Sequence, residues 1–213
     1  MPGVILILSL SACNGIMGGM YDEPAAETEN DYGFIKVDES ANSGVVYINA
    51  SEYTNWNFID FHKKKIETVE IGQGMQEPVN WDIAVHRYDT KTNNGAVLET
   101  EFTDFGALKA LGSIPDGAFV ADIWTTDRIA VDMSGMMDGV ILYTESYYNP
   151  ELSKWLNVDT STMPPIYTMS KKVYLVRLKD GTYAALRLSN FMNEASVKGY
   201  MTIEYMYPFE FEN

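Results

Sequence analysis

The sequence predicts a mainly β domain, an antiparallel, sandwich-like arrangement of short strands with one or two short helices. Three observations lead to this prediction. Short runs of β-branched and aromatic residues recur from Ser43 onward, turn-forming residues separate them, and no repeat of 20–50 residues is evident. Many short strands separated by turns are typical of antiparallel β-sandwiches.

Two dipeptides predict tight turns between strands. Asp180-Gly181 separates two apolar runs and predicts a hairpin, because Asp-Gly accepts the backbone angles of a two-residue turn. Asn94-Gly95 predicts a second hairpin by the same argument. The predicted strands span residues 45–48, 58–61, 83–88, 96–98, 173–178, 183–188 and 200–207.

Two short helices are predicted. The first spans residues 105–111, and the second runs from Asn149 to about residue 156. Asn149 is a good helix cap, Pro150 suits the first helical position, and Glu151 complements the helix dipole.

The composition describes a globular and strongly acidic protein. Charged residues make up 21% of the chain and aromatic residues 13%, so a packed core is expected. Acidic residues outnumber basic ones by 30 to 15, and this excess repels phosphate backbones, so we expect no nucleic-acid partner. One cysteine and two histidines allow no intrachain disulfide and are too few for a structural zinc site.

The N-terminus is typical of a bacterial lipoprotein. An apolar run at residues 4–10 is too short to span a bilayer, fits a signal peptide, and ends in Leu-Ser-Ala before Cys13. We therefore expect a signal peptide at 1–12, lipidation of Cys13 (palmitate), a flexible acidic tether at 13–40 and the β domain at 41–213. No Lys or Arg precedes Cys13, which departs from the usual pattern, and the alternative is a cytosolic protein with a buried thiol.

Three stretches resemble the HmuY family of haem-binding lipoproteins of anaerobic bacteria: residues 80–93 (NWDIAVHRYDTKTN), 155–165 (WLNVDTSTMPP) and the hairpin strand 173–178. The resemblance covers the chain from about Val45 to its end. It implies an antiparallel β fold that holds one haem b. It also implies host haem proteins as the source and a TonB-dependent outer-membrane haem receptor as the recipient. The expected location is the outer membrane, lipid-anchored at the cell surface, with shedding as an alternative fate.

The resemblance also implies the axial ligands of the haem iron. Family members use either two histidines or two methionines in two loops. Here the loops 132–139 (DMSGMMDG) and 161–165 (STMPP) hold methionine and lack histidine. The implied pair is Met136 and Met163, with Met137 as the alternative to Met136, whereas Met133 lies nearer the strand and suits packing. A thioether is a soft, neutral donor, so we expect a preference for ferrous haem.

The two histidines are expected to be structural. His86 falls within a β run and His62 precedes three lysines that suit a solvated face. Possible haem-pocket residues are the aromatics near the methionine loops, with packing in the core or rim as the alternative reading: Trp124, Tyr147 and Tyr148, and beside them Tyr143 and Trp155.

Two other function classes are weighed against haem capture. A glycan-binding or adhesion β module would use the abundant tyrosine and tryptophan side chains as platforms, but it gives the methionine-rich loop no role. An enzyme would need a catalytic signature, and the sequence shows neither a nucleophile elbow nor an H-E-x-x-H motif. We therefore expect a binding protein without catalytic activity.

Overall fold

The computed structural model describes residues 32–212. Cys13, the predicted signal peptide 1–12 and residues 13–31 of the predicted tether lie outside this range. Among the described residues, no helix is long and apolar enough to cross a bilayer.

The largest element is a seven-stranded antiparallel sheet. Its strands, in spatial order, are β1 (Gly33–Asp38), β2 (Ser43–Asn49), β15 (Lys198–Met206), β14 (Tyr183–Met192), β13 (Tyr174–Arg177), β7 (Ala96–Glu99) and β8 (Val120–Ala121). The β13–β14 hairpin confirms the turn predicted at Asp180-Gly181, where Gly181 has a φ of 88°.

A four-stranded antiparallel sheet packs against it. Its spatial order is β4 (Lys65–Glu70), β3 (Asn55–Asp60), β5 (Ile83–His86) and β6 (Asp89–Thr92). One apolar cluster joins the two sheets and includes Ile59 and Val85 from the smaller sheet and Leu186 and Ile203 from the larger. These two sheets form the two-sheet body, and the prediction of a mainly β, antiparallel fold is confirmed.

Two separate two-stranded ribbons complete the strands. The first ribbon consists of β9 (Ile123–Asp132) and β10 (Leu142–Tyr148), and the second of β11 (Leu156–Asp159) and β12 (Ile166–Met169). Each ribbon is an antiparallel hairpin, and its closing loop contains the methionines that the sequence singled out. The first loop spans residues 133–141 and the second residues 160–165.

Both predicted helices are present in shortened form. Helix α1 (Phe105–Lys109) begins after Asp104, whose side chain accepts a hydrogen bond from the Ala107 amide. The second is a 3₁₀ helix, Leu152–Trp155, and the Asn149 side chain accepts from the Leu152 amide at 2.8 Å as its capping role requires.

The predicted hairpin at Asn94-Gly95 is wrong. Strand β5 pairs instead with β6 through a turn at Arg87 and Tyr88, and β7 belongs to the other sheet. Gly95 is needed for close approach, since a Cβ there would lie 2.7 Å from the Arg177 carbonyl oxygen.

The predicted tether extends too far along the chain. Residues 33–38 form β1, and Phe34 pairs with Val46 of β2 and packs on the core. The prediction missed this edge strand because the surrounding acidic residues are typical of a linker. The two apolar residues Phe34 and Ile35 are a weak signal beside them.

Candidate functional site

A cleft of about 860 Å³ opens between the two ribbons and the end of β5. Its volume falls within the usual range for small-molecule and cofactor sites. We call it the methionine cleft, because four methionine side chains line it: Met133, Met136, Met137 and Met163.

These methionines come from the loops of both ribbons, and three of them are strongly exposed. The exposed fraction is 43% for Met136, 85% for Met137 and 74% for Met163. A methionine that fills a gap in a core is buried, as Met201 is in this protein. The exposed methionines therefore provide soft donors and apolar surface to whatever occupies the cleft.

The first methionine loop is held by local hydrogen bonds. It forms a 3₁₀ turn, Met136–Asp138, after which Gly139 adopts a φ of 77° and donates its amide to the Met136 carbonyl at 3.0 Å. Gly135 lies so close to Val140 that an added Cβ would meet the Val140 Cβ at 3.0 Å. The two glycines therefore let the chain turn tightly around the methionines.

The second methionine loop is also held by short-range hydrogen bonds. Asp159 accepts from the Ser161 amide at 2.9 Å, and the Thr162 hydroxyl donates to the Pro164 carbonyl at 3.0 Å. The ribbon below it keeps an unbroken register from Leu156–Met169 to Asp159–Ile166. These hydrogen bonds and the regular strand pairing below hold the loop that carries Met163.

The floor of the cleft is a cluster of aromatic and cationic side chains. The Arg87 guanidinium lies 4.4 Å from the centre of the Tyr53 ring, donates to the Tyr88 hydroxyl at 2.8 Å and also donates to the Ser51 carbonyl. The Tyr88 and Tyr167 hydroxyls lie 3.1 Å apart. Arg87 adopts a φ of 53°, which places it at the turn between β5 and β6.

His86 also borders the floor but is closed to solvent. It is 1% exposed, and its Nε2 donates to the Tyr53 carbonyl at 2.8 Å. Burial lowers its pKa to about 4, so the ring is neutral at pH 7. This environment fits the structural role expected for His86.

Two half-exposed cations line the walls. Arg128 donates from Nε to Asp89 at 2.7 Å, and Lys154 donates to Glu151 at 2.6 Å. Burial raises the pKa of Asp89, and the Arg128 charge opposes that rise. Arg128 and Lys154 thus place positive charge at the edge of the cleft, although the protein as a whole is acidic.

The structure brings only some of the aromatics predicted near a haem to the methionine cleft. Tyr148 and Tyr143 line the cleft, whereas Trp124 and Tyr147 do not and instead contact each other with ring centres 5.0 Å apart. Neighbouring strand residues face opposite sides, so Tyr148 and Tyr147 cannot share a wall. Tyr143 and Tyr148 lie five positions apart, which in a regular strand would put them on opposite faces, but a register irregularity between Thr144 and Ser146 brings them to one side.

Trp155 is not a lining residue either. It is fully buried in the core shared by the two sheets. Residues that the sequence analysis did not single out also line the cleft, among them Tyr53, Arg87 and Arg128. The signal for Arg87 was its place within the unusual segment 80–93, directly after the buried strand β5.

The lysines after His62 lie away from the methionine cleft. Lys64 pairs with Glu39 at 2.5 Å and Lys65 with Glu67 at 2.8 Å. Lys63 and His62 line a different cleft, which is described below.

The protein is thus of the antiparallel β class, with a two-sheet body and two ribbons. An open cleft lined by methionines lies between the ribbons. The chain belongs to the HmuY family, whose model matches residues 52–205. The resemblance seen in the sequence is thereby confirmed. No curated protein matches the chain.

Solved structures agree with this assignment. A protein from Bacteroides vulgatus ATCC 8482, described as HmuY-like and haem-binding, is 62% identical over 84% of this chain and 100% of its own, with a TM-score of 0.81. A protein from Bacteroides fragilis NCTC 9343, described as a lipoprotein, is 55% identical over 86% and 99%, with a TM-score of 0.82. The apo form of an HmuY analogue from Tannerella forsythia shares the fold at 24% identity, covering 76% and 94%, with a TM-score of 0.65.

Proposed function

We propose that this protein is a haemophore-like surface lipoprotein that binds haem b in the methionine cleft and performs no chemistry on it. The observation that carries the proposal is the convergence of methionines from two separate ribbon loops on one cleft. Membership of the HmuY family and the haem-binding description of the Bacteroides vulgatus relative support it.

The proposed axial ligands are Met136 from the first loop and Met163 from the second, with Met137 as the alternative to Met136. All three line the cleft and are more than two-fifths exposed, so these residues are not packed in the core. His86 is a poor competitor, because its ring is buried and its Nε2 is engaged by Tyr53. Thioether ligands are neutral and soft, so the site favours ferrous haem and its ligands do not titrate.

The remaining lining suits the rest of a haem. Tyr143 and Tyr148 offer ring surface for an apolar, planar macrocycle. Haem propionates are anionic, and Arg128 and Lys154 are the half-exposed cations at the cleft edge that would attract them. The protein's part is therefore to bind, orient and shield the cofactor.

The proposed setting is the outer membrane. Lipidation of Cys13 with palmitate would anchor the chain at the cell surface, and the description of the Bacteroides fragilis relative as a lipoprotein supports this. Host haem proteins would supply the haem, and a TonB-dependent outer-membrane receptor would take it.

The experiment is a haem titration followed by absorbance, under oxidising conditions and with dithionite. Met136→Ala with Met163→Ala is expected to weaken haem binding by at least about 100-fold, because loss of even an outer-shell partner of a metal ligand costs 10- to 100-fold. Wild-type protein should show a sharper and stronger spectral change with the reduced form. Comparing Met136→Ala with Met137→Ala identifies the ligand of the first loop.

The matched control is Val140→Ala with Ile166→Ala. Val140 lies in the first methionine loop, and Ile166 begins β12, directly after the second. They are 54% and 51% exposed and do not line the methionine cleft. The control should bind haem like wild type. The proposal fails if the methionine double variant keeps wild-type affinity and spectrum. Retention on a glycan array without any haem spectrum would favour the glycan-binding alternative, with the exposed Trp124–Tyr147 pair as its platform.

A further inference from the structure

A second cleft, of about 470 Å³, holds a cluster of metal-ligating side chains. We call it the His62 cleft. Asp60 ends β3, His62 lies in the turn that follows, Asp82 precedes β5, and Asp180 occupies the tip of the β13–β14 hairpin. It shares no lining residue with the methionine cleft.

The spacing of three donor atoms matches a metal site. His62 Nδ1 lies 3.2 Å from Asp82 Oδ2 and 3.8 Å from Asp60 Oδ1, and the three ligand groups lie within 4.8 Å of one another. A tetrahedral zinc ion with bonds of about 2.0–2.2 Å holds its ligand atoms roughly 3.4 Å apart. Small side-chain shifts would therefore bring all three atoms to bonding distance of one ion.

The other ring nitrogen of His62 is arranged as in metal sites. His62 Nε2 lies 2.9 Å from Asp180 Oδ2, and when Nε2 carries the proton it donates to that carboxylate. The lone pair of Nδ1 then points toward Asp60 and Asp82. A metal-ligating histidine almost always donates its second nitrogen to a carboxylate or carbonyl, which fixes the tautomer and the ring.

The two carboxylates that face Nδ1 carry buried charge. The side chains of Asp60 and Asp82 are only 7% and 8% exposed, and among the described residues their only ion-pair partner is His62. Each accepts one backbone amide, Asp60 from Lys63 and Asp82 from Phe61. Buried carboxylates are costly unless they are paired or bound to a metal.

A cation between Nδ1 and the two carboxylates would compensate this buried charge. Either a proton on Nδ1 or a metal ion fills that place. Lys63 and Lys179 line the same cleft but form no ion pair with either carboxylate.

We propose that Asp60, His62 and Asp82 bind a divalent transition-metal ion, with Asp180 orienting His62 and a further coordination position open to the cleft. One imidazole nitrogen and two carboxylate oxygens suit Zn²⁺, and no thiolate is involved. The sequence pointed to haem iron as the only metal, since a structural zinc site rich in Cys and His was excluded. This site draws on carboxylates that folding gathers from separate segments.

The experiment is calorimetric titration of chelator-treated, untagged protein with Zn²⁺ in the absence of haem, together with its thermal unfolding. Zn²⁺ is expected to bind one ion per chain and to raise Tm, because it binds the folded state. His62→Gln should lower the affinity by more than about 100-fold, and Asp180→Asn by about 10- to 100-fold as an outer-shell change. The affinity should also fall as the pH is lowered, because a proton competes for Nδ1.

Asp132→Asn is the matched control, an exposed carboxylate that lines neither cleft. It should bind Zn²⁺ like wild type. His62 is the main probe because its side chain is 42% exposed and its replacement leaves the core intact. The proposal is overturned if wild type takes up no Zn²⁺, or if His62→Gln binds it equally well. Haem titration of His62→Gln should be unchanged, so this test stands apart from the haem proposal.

Discussion

In the two-sheet body the apolar side chains are closed away, as with the fully buried Leu186 and Ile203, whereas in the ribbons Met137, Met163 and Trp124 are each more than half exposed. Apolar residues thus occur in two different environments. In the body they are buried and stabilise the fold, and in the ribbons they stay available to a ligand. The contrast teaches that the apolar surface that stabilises the fold lies mainly in the body, whereas the exposed apolar surface that we propose receives haem lies on the ribbon loops.

The largest effect is expected from a cavity in the body. Leu186→Ala removes a fully buried side chain in the core joining the two sheets and should lower the free energy of unfolding by about 2–5 kcal/mol. Urea denaturation measures this change. Haem affinity of the folded fraction should stay near wild type, and a parallel loss of affinity would break the separation between body and ribbons.

A pH effect is expected from His86, where the body meets the cleft. Its folded pKa of about 4 lies below the unfolded value near 6.5, so the unfolded chain takes up the proton first as the pH falls. The stabilisation is complete above pH 6.5 and is lost as the pH falls toward 4, by up to about 3 kcal/mol. The unfolding free energy of His86→Gln, measured across this range, should fall less steeply than that of wild type.

His62 supplies the contrast of opposite sign. Its folded pKa is raised, so its contribution is present below pH 6.5 and is lost as the pH rises through the folded pKa. In metal-free buffer, His62→Gln should therefore differ from wild type mainly at low pH. If His86→Gln and His62→Gln changed the pH dependence of the unfolding free energy in the same direction, the environments assigned to the two histidines would be wrong.

The smallest effect is expected at the cleft edge. Lys154→Ala should weaken haem binding about two- to fivefold at low salt, and less at high salt, because an exposed charge contributes only 0.2–1 kcal/mol and is screened. Lys65→Ala is the control, since Lys65 is 59% exposed against 56% for Lys154 and lies outside the cleft. Equal losses in both variants would indicate a general field effect.

Local signals predicted the body better than the ribbons. Asp180-Gly181 gave the correct hairpin, because Gly181 does adopt the positive φ that such a turn needs. Asn94-Gly95 misled because only Asn94 has a positive φ and the glycine accommodates the Arg177 carbonyl. The first ribbon went unpredicted, since most of its strand residues are exposed, and the few buried ones, such as Thr125 and Ile129, produce no clear alternation in the sequence.

The candidate sites differ in how far the sequence revealed them. The methionine loops are short segments, and a family resemblance drew attention to Met136 and Met163. The floor unites Tyr53 with Arg87, and the His62 cleft unites Asp60 with Asp180, from segments that meet only after folding. No local pattern encodes such long-range neighbours, so sequence reasoning alone treated His62 as part of a solvated face.

Each methionine loop closes its own hairpin, and the paired strands beneath it are set by backbone registers that do not involve the methionine side chains. Donor chemistry and architecture can therefore change independently in this scaffold. Replacing loop 133–141 or loop 160–165 by one that carries nitrogen or oxygen donors should leave the paired strands of the ribbon unchanged. Under the proposed haem-binding role, such exchanges would test whether the donor atoms of the two loops decide which redox state of the haem iron is preferred.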